Sequence, residues 1–126
     1  MNLSKSILAS ILMTGLAFSA LGNTVFSDEE IAVSYSLKEV AKKPEPIQQT
    51  QPAVTPRLRG ETGRVYVAFI VDESGSVANL RCVKTTSNKL TATVLEAVEQ
   101  WTFKPATHDG GPVKVRVLLP IRVDFS

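Results

Sequence analysis

Trp101-Thr102-Phe103-Lys104-Pro105-Ala106 decides how this chain folds. Upstream of it, Leu90, Val94, Ala97, Val98 and Trp101 recur at spacings of three and four, which puts them on one stripe of a helix. Ser87 or Asn88 supplies an N-cap, and Lys89, Thr93, Glu96, Glu99 and Gln100 take the opposite face. The stripe ends on a Trp of the kind that is buried. Phe103 follows, and Pro105, which has no N–H, blocks any continuation of the helix. The chain must leave the helix here and turn towards a last strand.

Working back from that corner, Arg64 to Val71 reads as a strand. Val65, Val67, Phe69 and Val71 share one face at period two, and Tyr66, Ala68 and Ile70 lie on the other. A second face that is not fully polar belongs to a strand in the middle of a sheet. Asp72-Glu73-Ser74-Gly75-Ser76 is a hairpin turn, in which Asp72 bonds to the backbone that follows and Gly75 takes a positive φ. Val77 to Thr85 is the return strand, half wet on one face.

Working forward, His108-Asp109-Gly110-Gly111-Pro112 is a turn, and Pro112 to Phe125 is the last strand. Val113, Val115, Val117 and Leu119 face one side of it, Lys114 and Arg116 the other. Pro120 inside this run would delete a ladder bond from a central strand, so the strand belongs at an edge or bulges there. The assembled fold is α+β: a three-stranded antiparallel sheet in the order β-β-α-β, with one helix packed on a face and the last strand at the edge beside the first. Gly75, Trp101, Phe103 and Pro105 are its structural anchors. A long regular edge invites a visiting strand, whose main-chain bonds give affinity and whose side chains give selection. The competing reading is an edge merely protected by Pro120 and its charges.

Met1 to Gly22 has Lys5 near its start, an apolar run of about 15 residues and small residues before Gly22. This reads as a cleaved export signal, the run being shorter than the roughly 20 residues of a spanning helix; the alternative is an uncleaved signal-anchor. The expected division is 1–22 leader, 23–43 a segment of undefined form, 44–60 a Pro/Gln-rich linker and 61–126 the folded domain. Ser27-Asp28-Glu29-Glu30 could cap a short helix, while Ile31 to Leu37 fits a strand or an irregular arm. Pro44, Pro46, Pro52 and Pro56 exclude a helix or an interior strand from the linker. At about 3.1 Å per residue, its 14 or so residues reach on the order of 40 Å.

Fourteen Lys and Arg stand against twelve Asp and Glu; without Lys5 the balance is near neutral, which is no footprint for nucleic acid. Cys82 is the only cysteine and His108 the only histidine. No disulfide can form within the chain. No nucleophile–base pair, phosphate-cradling glycine loop or metal-spaced ligand set stands in the sequence, so no catalytic residue, metal or cofactor is expected. Cys82 reads as a small apolar group and His108 as an exposed loop residue.

The pattern resembles the C-terminal domain of TonB-type energy transducers. The residues that carry this are Gly63-Arg64-Val65, Val67, Phe69, Val71-Asp72, Gly75 and Val77, then Leu95, Ala97, Trp101, Phe103 and Pro105-Ala106, and finally Gly111-Pro112-Val113 and Pro120-Ile121. The resemblance covers about Pro44 to Phe125. It implies a periplasmic domain of a Gram-negative envelope that binds an extended TonB-box peptide of an outer-membrane TonB-dependent receptor along the last strand, and so supports uptake of siderophores and similar cargo. Carried onto this chain, the pairing residues are Val113, Lys114, Val115, Arg116, Val117, Leu118, Leu119 and Ile121, with Gln49, Gln51 and Pro52 lining the site. The short linker and cleavable leader favour a stand-alone module; a retained leader would anchor it in the inner membrane. The alternative function is an envelope domain whose edge strand mediates homodimerisation or other peptide recognition without energy transduction.

Overall fold

The computed structural model describes the backbone of residues 7–9 and the whole of residues 25–126. The rest of the expected leader, and residues 23–24, lie outside the described residues.

β3 (Thr62–Val71) and β4 (Val77–Thr85) form the predicted hairpin. Asp72 organises its turn: Oδ1 accepts from the Ser74 amide at 3.0 Å, the Ser74 hydroxyl at 2.6 Å and the Ser76 amide at 2.9 Å. These donors, the Ser74 hydroxyl first, hold the Asp72 carboxyl below its usual pKa. Gly75 has φ +85°, and a Cβ there would overlap the Phe103 carbonyl oxygen. The close approach has a purpose, since the Phe103 amide donates to the Gly75 carbonyl at 2.8 Å and so ties the hairpin turn to the corner.

α2 (Asn88–Glu99) lies across β4 and β3. Leu90, Val94, Ala97 and Val98 are buried as the stripe requires, and Trp101 closes it at 1% exposure. Thr93, expected on the wet face, is buried as well. Its hydroxyl donates to the Ala53 carbonyl at 3.0 Å, because the Pro-rich segment covers that side of the helix. Trp101 Nε1 donates to the Thr50 carbonyl at 2.8 Å, while β2 (Glu45–Gln48) pairs antiparallel with β5 (Thr102–Lys104). Residues 44–55 contain no helix, as their prolines demand, but they are laid on the domain rather than spanning free. Leu58, in a short 3-10 turn at Pro56–Leu58, enters the core.

After the corner, the expected single strand is three. β6 (Ala106–His108) and β7 (Gly111–Val113) form a small hairpin of their own. Asp109 at φ +52° and Gly110 at +82° are its two turn residues, the positive-φ pair that a tight Asp-Gly hairpin favours. β8 (Val115–Asp124) then pairs antiparallel with β3 over the full length of both. The sheet order is β1-β8-β3-β4, with β1 the three residues Ile7–Ala9 against Val123–Ile121. The three long strands make the expected antiparallel sheet, and β8 is its margin, bordered at one end by β1.

The segment before the linker has a defined form. α1 (Asp28–Val33) starts at a capping box, in which the Ser27 hydroxyl accepts from the Glu30 amide and the Glu30 carboxylate accepts from the Ser27 amide. This arm lies on the face of the sheet opposite α2. There Ala68 and Ile70 are buried, which accounts for the apolar second face of β3.

Candidate functional site

Alternation along β8 fixes what each residue can offer. The Arg116 amide donates away from β3 to the Tyr35 carbonyl at 2.9 Å, and the Lys114 carbonyl accepts the Tyr35 amide at 2.9 Å. In an antiparallel ladder, N–H and C=O of one residue point the same way, and successive residues point oppositely. Even-numbered residues of β8 therefore present their backbone outward, and odd-numbered ones bond to β3. Pro120 is even, so its missing N–H takes nothing from the β3 ladder.

Side chains follow the same parity. Val115, Val117, Leu119 and Ile121 are all at most 1% exposed, under α2 and the Pro-rich segment. They offer a visitor neither side chain nor main chain. Arg116, Leu118 and Pro120 are half-buried on the second face and offer both.

The outer margin is narrower than the expected run from Val113 to Ile121. Val113 pairs with Ala106 in the β6–β7 hairpin, because the Asp109-Gly110 turn folds the chain back on itself before β8 begins. Tyr35 forms a parallel bridge at Val115, which occupies Lys114 and Arg116. β1 borders Ile121 to Val123. Between these two neighbours, residues 117–120 have none on that side among the described residues.

Gln49, Gln51 and Pro52 are placed by other bonds. Their segment is held by Trp101, Thr93 and β5, with Pro52 buried and the two glutamines exposed. No hydrogen bond ties Gln49 or Pro52 to the β8 margin among the described residues.

The second face carries features the sequence reading missed. Arg81 of β4, opposite Ala68, holds the arm: it donates to Glu30 at 2.9 Å from both guanidinium nitrogens and to the Val25 carbonyl at 2.6 Å. This pairing, above all the Arg81 hydrogen bonds, lowers the Glu30 pKa from 4.5 to about 2. Arg116 does the same work at β8, donating to the Ser34 carbonyl at 2.7 Å and to the Ile31 carbonyl at 3.1 Å, with Glu39 at 3.6 Å. Tyr35 also stacks on His108, ring centroids 4.8 Å apart, so that histidine is half-buried rather than exposed. Cys82 is likewise half-buried, at the β-bulge opposite Val67. His108 Nε2 lies 3.6 Å from the exposed Asp109 carboxylate, and no three His, Cys, Asp or Glu among the described residues gather as metal ligands. No helix among them is long and apolar enough to cross a membrane.

The chain is 32% identical over 77 residues to Protein TonB of Vibrio cholerae serotype O1; the match covers 60% of this chain and 31% of that protein, so it spans under a third of that relative's length. The solution NMR structure of the Pseudomonas aeruginosa TonB CTD aligns at 24% identity with a TM-score of 0.48, over 69% of this chain and 91% of that one. The family model described as the Gram-negative bacterial TonB protein C-terminal matches residues 55–125, more than half of the sequence. The protein belongs to the TonB C-terminal domain family.

Proposed function

We propose that this domain is a periplasmic binding module, not an enzyme, that takes an extended peptide of an outer-membrane receptor onto the margin of β8 in support of TonB-dependent transport. The observation that carries the reading is the parity of β8. Its odd residues are fully committed to β3 and the core, while the Leu118 N–H and C=O and the Pro120 C=O point outward with no partner among the described residues. Main-chain bonding at such a margin is the physics of strand addition.

The free stretch is short, so binding must lengthen it. The Tyr35 bridge consists of two hydrogen bonds and is the cheaper neighbour to displace, at about 0.5–1.5 kcal/mol each. β1 is the other neighbour, and cleavage of the leader would remove it. The test is chemical-shift mapping on the isotope-labelled chain with a receptor-derived peptide. Shifts should centre on Leu118 to Ile121 and appear at Tyr35 as its bridge opens. A saturating peptide that leaves these residues unmoved refutes the reading. Sedimentation over a range of protein concentrations separates peptide capture from homodimerisation through the same edge.

A further inference from the structure

The second face of the sheet projects four arginines, and two of them have already found carboxylates. Arg81 holds Glu30 and Arg116 approaches Glu39, both acids belonging to the chain's own arm. The other two, Arg64 and Arg122, stand at the far end of the same face, beyond the arm. Both are exposed, and neither has an ion pair or a side-chain hydrogen bond among the described residues.

These two are direct cross-strand partners. By the parity of β8 they form a non-hydrogen-bonded pair, the kind in which side chains approach most closely. Like charges placed so are unfavourable. Lys84 adds a third cation on this end, 5.7 Å from the Tyr66 ring, and Tyr66 lies opposite both Lys84 and Pro120. Asp124 is the one acid nearby; it accepts the Ser126 amide at 3.0 Å, and hydrogen bonding from Ser126 first, with a smaller contribution from the Arg122 charge, holds its carboxyl below the usual pKa. An open groove lined by Thr62, Arg64, Thr86, Arg122 and Asp124 runs between them. Within the fold these cations meet only one carboxylate, Asp124, which leaves room for a second anion.

We propose that Arg64 and Arg122 receive carboxylate side chains of the visiting strand, so that the ligand of this domain is an acidic extended peptide. The inference rests on pairing at β8 and says which peptide is chosen. Arg122 is four residues beyond Leu118 on β8, on the same face by period two. A visitor seated opposite Leu118 therefore brings its residue four places along, towards Arg122, onto that face, beside Arg122 and one strand away from Arg64, within reach of its long side chain. A Glu or Asp there repeats what Glu30 does for Arg81. To reach it the visitor takes the place of β1.

The experiment uses the full chain and synthetic strand-forming peptides of one length that differ only at that position, carrying Glu, Gln or Lys. Binding is read by fluorescence anisotropy at low and high salt. The Glu peptide should bind roughly fivefold tighter than the Gln peptide, the scale of one or two exposed ion pairs, and the Lys peptide weakest. The preference should shrink as salt rises. The double variant Arg64→Gln, Arg122→Gln should bind Glu and Gln peptides alike, with a melting temperature no lower than wild type. Equal affinities in the wild-type chain, or a Glu preference that survives in the double variant, overturn the inference and leave pairing intact. No binding by any peptide overturns both.

Discussion

The two faces of the sheet are built from the same three strands and serve opposite ends. Under α2 the face is dry: Val65, Val67, Phe69, Val71, Val117, Leu119 and Ile121 are at most 1% exposed. On the other side the same strands project Arg64, Tyr66, Arg81, Arg116 and Arg122, covered only in part by an arm of the chain. Burial at about 25 cal/mol per Å² makes the first face the source of stability. The second adds polar contacts that are individually small and can be exchanged. One face holds the fold together so that the other can be rearranged by a partner.

That contrast predicts a graded series of variants. Gly75→Ala should do the most damage, because the methyl group meets a backbone oxygen and the residue sits at positive φ. A loss on the order of 3 kcal/mol or more in denaturant unfolding is expected, and a near-neutral result would break the link between turn and corner. Trp101→Phe keeps most of the apolar volume but loses the bond to Thr50. It should lower stability by about 1–2 kcal/mol and speed amide exchange in residues 45–53 ahead of the sheet.

On the second face the effects should be local. Glu30→Gln should remove about 1 kcal/mol and loosen residues 25–37, while exchange in β3 stays slow. The Glu30 pKa is lowered from 4.5 to about 2, so its contribution is complete above pH 4.5 and fades as pH falls towards 2. Wild type and Glu30→Gln should therefore converge in denaturation midpoint at the acid end. A gap that persists at pH 2 would assign the arm's hold to something other than this carboxylate. Smallest of all, Arg122→Gln alone should change stability by less than about 0.5 kcal/mol.

Much of the first face was legible in the sequence, because it follows from periodicity. The alternation of Val65 to Val71, the helical stripe ending at Trp101 and the turn at Gly75 each have one reading, and these residues meet as expected. Pro120 also carried more than an edge assignment. Since it can sit only where no N–H is required, it fixes the outward register, and with it Leu118 and Arg122 as outward residues. What the sequence hid depends on long-range contact. Arg81 meets Glu30 across 51 residues, and no local pattern joins them. Thr93 looked exposed because its cover, Ala53, lies forty residues upstream. The Asp109-Gly110 hairpin was readable as a turn, but its strands are too short to show a period, so Val113 was assigned to the wrong strand.

The most direct test of the account is amide hydrogen exchange at three consecutive residues of β8, with and without a receptor-derived peptide. Val117 and Leu119 point to β3 and should be slow in both states. Leu118 points outward and should exchange fast in the free protein, then slow by an order of magnitude or more when the peptide is saturating. A Leu118 amide already as protected as its neighbours, or one indifferent to bound peptide, contradicts the claim that this margin is where the partner is received.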